Sequence, residues 1–115
     1  MAANGFETEQ NDHVVTITLH FGQMTYAEMQ EVVDECSDRI RYNNAQNFIV
    51  DMGSVEFMAS ACIGVLVGFL QDLEHVRGKI ALANCREEIL FLFKVTRLDA
   101  VFGMYDEVDQ AVESF

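Results

Sequence analysis

Three consecutive apolar residues, Phe48-Ile49-Val50, stand between the polar Asn47 and Asp51. The run is too short for a helix core, and it does not alternate. It suits a strand covered on both faces, the pattern of a parallel sheet flanked by helices. Lys79-Ile80-Ala81-Leu82-Ala83 has the same character. Between them a segment from about Ala61 to His75 has helical periodicity. Strand, helix, strand in one chain implies a right-handed crossover and an α/β class.

The flanks extend this pattern. From His13 to His20, Val15, Ile17 and Leu19 alternate with Thr16 and Thr18, as in a half-buried strand. Phe6-Glu7-Thr8-Glu9 reads as an earlier strand, with Gln10-Asn11-Asp12 as the turn between the two. Thr25-Tyr26-Ala27-Glu28 is a capping box, with Met24 and Met29 placed as a hydrophobic staple. Met29, Val32, Val33, Cys36 and Ile40 then form one helical stripe. Asn84 is expected to cap a third helix, with Glu87 at its third position and Ile89, Leu92 and Phe93 facing inward. Phe102-Gly103-Met104-Tyr105 reads as a last strand. Asp106 is expected to cap a final helix carrying Val108, Ala111, Val112 and Phe115 on one stripe. The expected fold is a single α/β domain over residues 1–115. It has a central, mainly parallel sheet, an N-terminal antiparallel hairpin strand and about four helices.

Charge narrows the function. Asp and Glu total 19 against 7 Lys and Arg, a net charge of −12. Such a surface repels phosphate, which argues against nucleic acid and anionic membrane as partners. A basic protein partner is compatible. Cys36, Cys62 and Cys85 form no C-x-x-C pair and are odd in number, so reduced thiols in a cytoplasm are the simpler reading than disulfides or zinc. Met1 to Glu7 lacks a basic patch followed by an apolar run, and Ala61 to Leu70 is shorter than the ~20 residues of a membrane span. His13, His20 and His75 are scattered, and no phosphate loop, H-E-x-x-H or G-x-S-x-G is present. Binding without catalysis, cofactor or metal is expected.

The informative stretch runs from Ser54 to Gly68, just past a buried strand and into a helix, where α/β sheets usually build their sites. Ser60 falls at the helix N-cap. Local physics offers it two roles, a cap worth ~1 kcal/mol or a hydroxyl open to modification. On the helix, Ile63, Leu66, Val67, Leu70 and Leu73 form a stripe for the sheet, and Cys62, Val65 and Phe69 form a second one. The second stripe is either buried against a neighbouring helix or exposed beside Ser60 as a docking patch. Gly64 and Gly68, one turn apart, are read as a close-packing pair.

This stretch resembles the signature of STAS domains, the family of anti-sigma-factor antagonists and sulphate-transporter tails, which usually reads Phe-x-Asp-Ser-Ser/Thr-Gly-Leu-Gly-x-Leu. Phe57, Ser60, Ile63, Gly64 and Leu66 match it or conserve its chemistry. Phe48-Ile49-Val50-Asp51-Met52 is similar to the family's strand ending in Val-Asp-Leu. Gly78 to Asn84 is similar to its Gly-Gly-x-Leu strand, and Thr96-Arg97-Leu98-Asp99 to its Thr/Ser-Gly-Leu-Asp loop. The resemblance implies a cytoplasmic partner switch that is not an enzyme. The unmodified domain would bind an anti-sigma factor that is also a serine kinase. Phosphorylation of Ser60 would release it. Ala59, Ala61, Cys62, Val65 and Phe69 would form the partner surface. Self-association into a weak homodimer stays open.

Two positions depart from the family. Its aspartate is Ala59 here and its glycine is Cys62, and Gly22-Gln23-Met24-Thr25 lacks the acid of its Gly-Glu-Leu-Asp-type loop. These departures suit an alternative, a non-switching STAS adaptor in a larger complex such as a lipid-transport ATPase assembly. A phospho-accepting receiver is a weaker competitor. Asp51 stands where its aspartate would, but His20-Phe21-Gly22 supplies no acidic pair for magnesium.

Overall fold

The computed structural model describes residues 5–115; residues 1–4, part of the stretch read for targeting signals, lie outside it. In chain order the elements are β1 (Phe6–Asn11), β2 (Val14–Leu19), β3 (Gln23–Met24), α1 (Tyr26–Asn43), β4 (Asn47–Asp51), β5 (Phe57–Met58), α2 (Ala61–Glu74), β6 (Lys79–Ala83), α3 (Glu87–Val95), a 3-10 turn (Leu98–Ala100), β7 (Gly103–Tyr105) and α4 (Val108–Glu113). The main sheet has the order β1-β2-β4-β6-β7. Among the described residues only the β1–β2 pair of this sheet is antiparallel; β4, β6 and β7 join in parallel. The fold is α/β as expected, with the antiparallel hairpin at one edge and four helices.

The apolar run in β4 explains the layering. Phe48 and Val50 are buried in a large cluster with the inward faces of α1, α2 and α3. Ile49, pointing the other way, is buried with Ala81, Ala83 and Ala111 beneath α4. Successive residues of a strand face opposite sides, so three apolar residues in a row need cover on both. Phe48 meets Phe69 of α2 edge to face, with ring centroids 5.3 Å apart.

Helix α1 starts as its sequence demands. The Thr25 hydroxyl accepts from the Glu28 N–H at 3.3 Å, and Glu28 Oε1 accepts from the Thr25 N–H at 3.1 Å. Met24 and Met29 on either side are both buried.

Four local expectations are corrected. Strand β1 continues through Gln10 and Asn11, which pair with Val15 and Val14, so the reversal falls on Asp12, whose φ of 55° is left-handed. Asn84 does not cap α3, whose N-cap is Arg86. The Asn84 side chain instead donates to Asp51 Oδ1 at 3.1 Å, and its backbone turns left-handed. Asp106 does not cap α4; Glu107 does, in a capping box with Gln110, whose Oε1 accepts from the N–H groups of both Asp106 and Glu107. The α4 stripe buries Ala111, but Val112, next to it on the helix, is exposed, and Phe115 lies beyond the helix end at Glu113 and is exposed too. Arg97 is left-handed, φ 62°, where the family loop has glycine.

Candidate functional site

The short ladder β3–β5 brings two helix starts together. It pairs Gln23 with Phe57 and Met24 with Met58 in parallel. The Gly22 carbonyl accepts from the N–H groups of Glu56 and Phe57, and the Met24 carbonyl accepts from the N–H of Ala59 at 3.0 Å. The Cys62 thiol donates to the same Met24 carbonyl at 3.5 Å. The cap of α1 at Thr25 and the N-cap position of α2 at Ser60 therefore sit one and two residues beyond a pair of tied strands.

Ser60 occupies the N-cap position of α2, but its side chain makes no cap hydrogen bond. A capping serine needs an extended backbone and free N–H groups two or three residues on. Ser60 is instead helical, at φ −60° and ψ −26°. The Cys62 N–H is already taken by the Ala59 carbonyl at 2.9 Å, and the Ile63 N–H by the Ser60 carbonyl at 3.1 Å. The side-chain cap, one of the two roles the sequence offered, is thus absent, and the exposed hydroxyl is left without a structural task.

The surface around Ser60 differs from the expected one. Cys62 and Phe69, expected as docking residues, are 0% and 1% exposed. Their stripe points into the core because Cys62, Leu66, Phe69 and Leu73 together form the buried face of α2. Ile63, Val67 and Leu70, expected to face the sheet, are only half-buried. Of the five predicted partner residues, Ala61 is exposed and Ala59 and Val65 are half-buried.

Two aromatic residues take the place of the lost pair. Phe57, three residues before Ser60, is 60% exposed, and Tyr26, the first residue of α1, is 56% exposed. Tyr26, Gln30, Ala61, Gly64, Val65 and Gly68 line an open groove of about 490 Å³ between α1 and α2. A Cβ added at Gly64 or Gly68 would meet nothing within 4 Å. The two glycines therefore pave an open floor and do not seat a neighbouring element of this chain. Sequence reasoning missed Tyr26 and Phe57 as surface candidates. For Phe57 the signal was there, since it alternates with the buried Met58; Tyr26 gave none, because it lies three residues before Met29 and seven before Val33, at the spacing of the buried stripe.

Other groups with chemical potential are committed elsewhere. Asp51 Oδ1 accepts from the Gly53 N–H at 3.0 Å and from the Asn84 amide, holding the end of β4 to the loop after β6. Burial raises the pKa of all three thiols, that of Cys85 to about 12. None is poised as a thiolate nucleophile. No described helix is long and apolar enough to cross a membrane.

Comparison with known proteins agrees with this layout. A family model described as STAS domain matches residues 5–111. A Thermotoga neapolitana protein, provisionally named an anti-sigma factor antagonist and TM1081 homolog, is 31% identical over 62 residues, which span 54% of this chain and 55% of that protein. The chain thus matches about half the length of this relative. The fold is similar to that of the phosphorylated Bacillus cell fate determinant SpoIIAA, with a TM-score of 0.75 at 23% identity over 95% of this chain and 97% of the other. It is also similar to an anti-sigma-factor antagonist (STAS) domain protein from Planctomyces limnophilus, with a TM-score of 0.79 at 20% identity over 95% of each chain.

Proposed function

The chain belongs to the STAS family, and from that premise we propose that it is an anti-sigma-factor antagonist whose docking to an anti-sigma factor is controlled by phosphorylation of Ser60. The observation that carries the reading is the Ser60 hydroxyl, exposed, free of any cap bond and set beside exposed Phe57 and Ala61. A kinase can reach such a hydroxyl without unfolding the helix. That SpoIIAA has been solved in phosphorylated and unphosphorylated forms supports a phosphate cycle on this fold.

The chemistry of release follows from the local electrostatics. A phosphate adds about −1.5 to −2 charges at neutral pH. The helix dipole offers it modest support. The N–H groups of Cys62 and Ile63 that would otherwise hold it are bonded to carbonyls. The phosphate therefore stands out from the surface. Within a docked interface of apolar Tyr26, Phe57, Ala61 and Val65 it would have to be desolvated without a partner, which opposes binding. The unmodified face, by contrast, offers apolar contacts and two glycines that let a partner's backbone approach closely.

The test is incubation with the cognate anti-sigma factor kinase and ATP, followed by mass spectrometry and calorimetric titration. One phosphate on Ser60, lost in Ser60→Ala, with weaker docking of the modified form, is expected. Phosphate on the Ser60→Ala variant would overturn the site. Tight docking to a scaffold or transporter ATPase with no phosphate under any condition would favour the adaptor reading, to which Ala59 and Cys62 are suited.

A further inference from the structure

The outer face of α3 carries a second apolar feature, independent of the Ser60 reading. Ile89 and Phe93 point into the core, at 2% and 0% exposure, and Phe93 packs edge to face on Phe102. With 3.6 residues per turn, the residue opposite that buried pair is Phe91. It is 68% exposed, and Val95, one turn further along the same face, is 61% exposed. A phenylalanine and a valine left bare on neighbouring turns of a nine-residue helix form a contiguous patch.

The charges around the patch are arranged by position. On a helical projection centred on Phe91, Glu87 lies about one turn before it and Lys94 about one turn after it, on the same flank. Glu88 and Val95 lie on the other flank. Glu87 and Lys94 are exposed, and neither makes an ion pair or side-chain hydrogen bond among the described residues. An antiparallel pairing of two such helices about a two-fold axis through Phe91 places residues of one flank against the same flank of the other helix. Position i then meets j and position j meets i, as an isologous contact requires. Glu87 of each copy faces Lys94 of the other, and the two Phe91 rings meet at the centre.

We infer that α3 is a homodimerisation face, occupied by a second copy of this chain through antiparallel α3–α3 packing, with Phe91 at its centre and two reciprocal Glu87–Lys94 pairs. The charge self-complementarity selects a second copy over another protein, because one helix supplies both halves of each pair. One helix face covers much less than the ~1,200 Å² of a standard stable interface, so the dimer is weak, with Kd on the order of 0.1–1 mM. The overall charge of −12 adds long-range repulsion. Salt therefore weakens the pairs and the repulsion together, and charge exchange is the cleaner probe.

The experiment is sedimentation equilibrium and NMR translational diffusion on the purified chain from about 10 µM to about 1 mM, a range bracketing that Kd. A concentration-dependent dimer is expected. Phe91→Asp, at an exposed position, should weaken it at least ~10-fold without lowering the melting temperature. Glu87→Lys and Lys94→Glu should each weaken it ~3-fold or more, because one substitution breaks both reciprocal pairs. The double variant Glu87→Lys/Lys94→Glu should return to within about twofold of the parent, since the pairs are re-formed with signs exchanged. A monomer throughout the range, self-association indifferent to Phe91→Asp, or a double variant as weak as the singles would each overturn the inference. None of these outcomes depends on whether Ser60 is phosphorylated.

Discussion

Helices α1 and α2 begin side by side, each with a hydroxyl residue at its N-cap, yet the two hydroxyls have opposite fates. Thr25 has the extended backbone of a cap, φ −96° and ψ 168°, and its oxygen is bound into a reciprocal box with Glu28. Ser60 has a helical backbone, and its helix already satisfies its second and third N–H groups through carbonyls. The difference arises upstream. Ala59 is tied to Met24 by the end of the β3–β5 ladder, and the chain winds into helical turns one residue earlier than a side-chain cap would allow. An N-cap position is a structural device only where the backbone leaves N–H groups for it. Where it does not, the hydroxyl is available for other work.

Four experiments test this difference between the two caps. The largest effect is expected on docking. Ser60→Asp should weaken binding to the anti-sigma factor by at least ~10-fold in calorimetry, because an uncompensated charge must be desolvated in the interface. Thr25→Asn should not, since asparagine can cap α1, can still donate to Glu28 and brings no charge. Next in size, Thr25→Ala should lower folding stability by ~1 kcal/mol in urea titrations, and Ser60→Ala by no more than a few tenths. Equal losses would mean that Ser60 is a cap after all.

A third test uses the glycines that α2 has and α1 lacks. Gly64→Ala and Gly68→Ala should each stabilise the fold by ~0.5–1 kcal/mol, since the added methyl meets nothing and the helix gains propensity. The same variants should weaken docking if a partner lies close over the groove. A loss of stability would show the groove to be filled. The smallest effect concerns pH. The hydrogen bond from His20 at 2.9 Å holds the Glu7 carboxyl below its ordinary pKa. A depressed folded pKa adds stability above the unfolded value of ~4.3, and that stability is lost as pH falls through the folded value. Thermal melts should therefore separate His20→Ala from the parent slightly near pH 7 and bring the two together near pH 3. Neither Glu7 nor His20 lines the groove between α1 and α2, so the docking contrast should not move with this pair.

Much of the fold was legible because strand and helix periods are local properties. Val15, Ile17 and Leu19 alternate, and all three are buried. The β4 run is covered on both faces, and the Thr25 box forms as written. The errors fell where a side chain had a competitor that sequence spacing does not reveal. Asn84 was drawn away to Asp51, and at α4 Gln110 reached back to make Glu107, not Asp106, the cap. The two-residue strands β3 and β5 were too short to show a period at all.

The α/β class, the parallel strands, the start of α1 and the placing of Ser60 at the mouth of α2 all follow from residue spacing within a few turns of chain. Which aromatic rings face outward and which hydroxyl is free depend on contacts between distant segments. Phe69 is buried because α2 turns its 62-66-69-73 face inward, where the Phe69 ring meets Phe48 edge to face, and Phe57 is exposed because it lies on the side of β5 opposite the buried Met58. Ser60 is unbonded because a ladder to Met24, over thirty residues away in the chain, sets the backbone just before it. Contacts between segments so far apart leave no period in the sequence, so their outcome had to be seen in three dimensions.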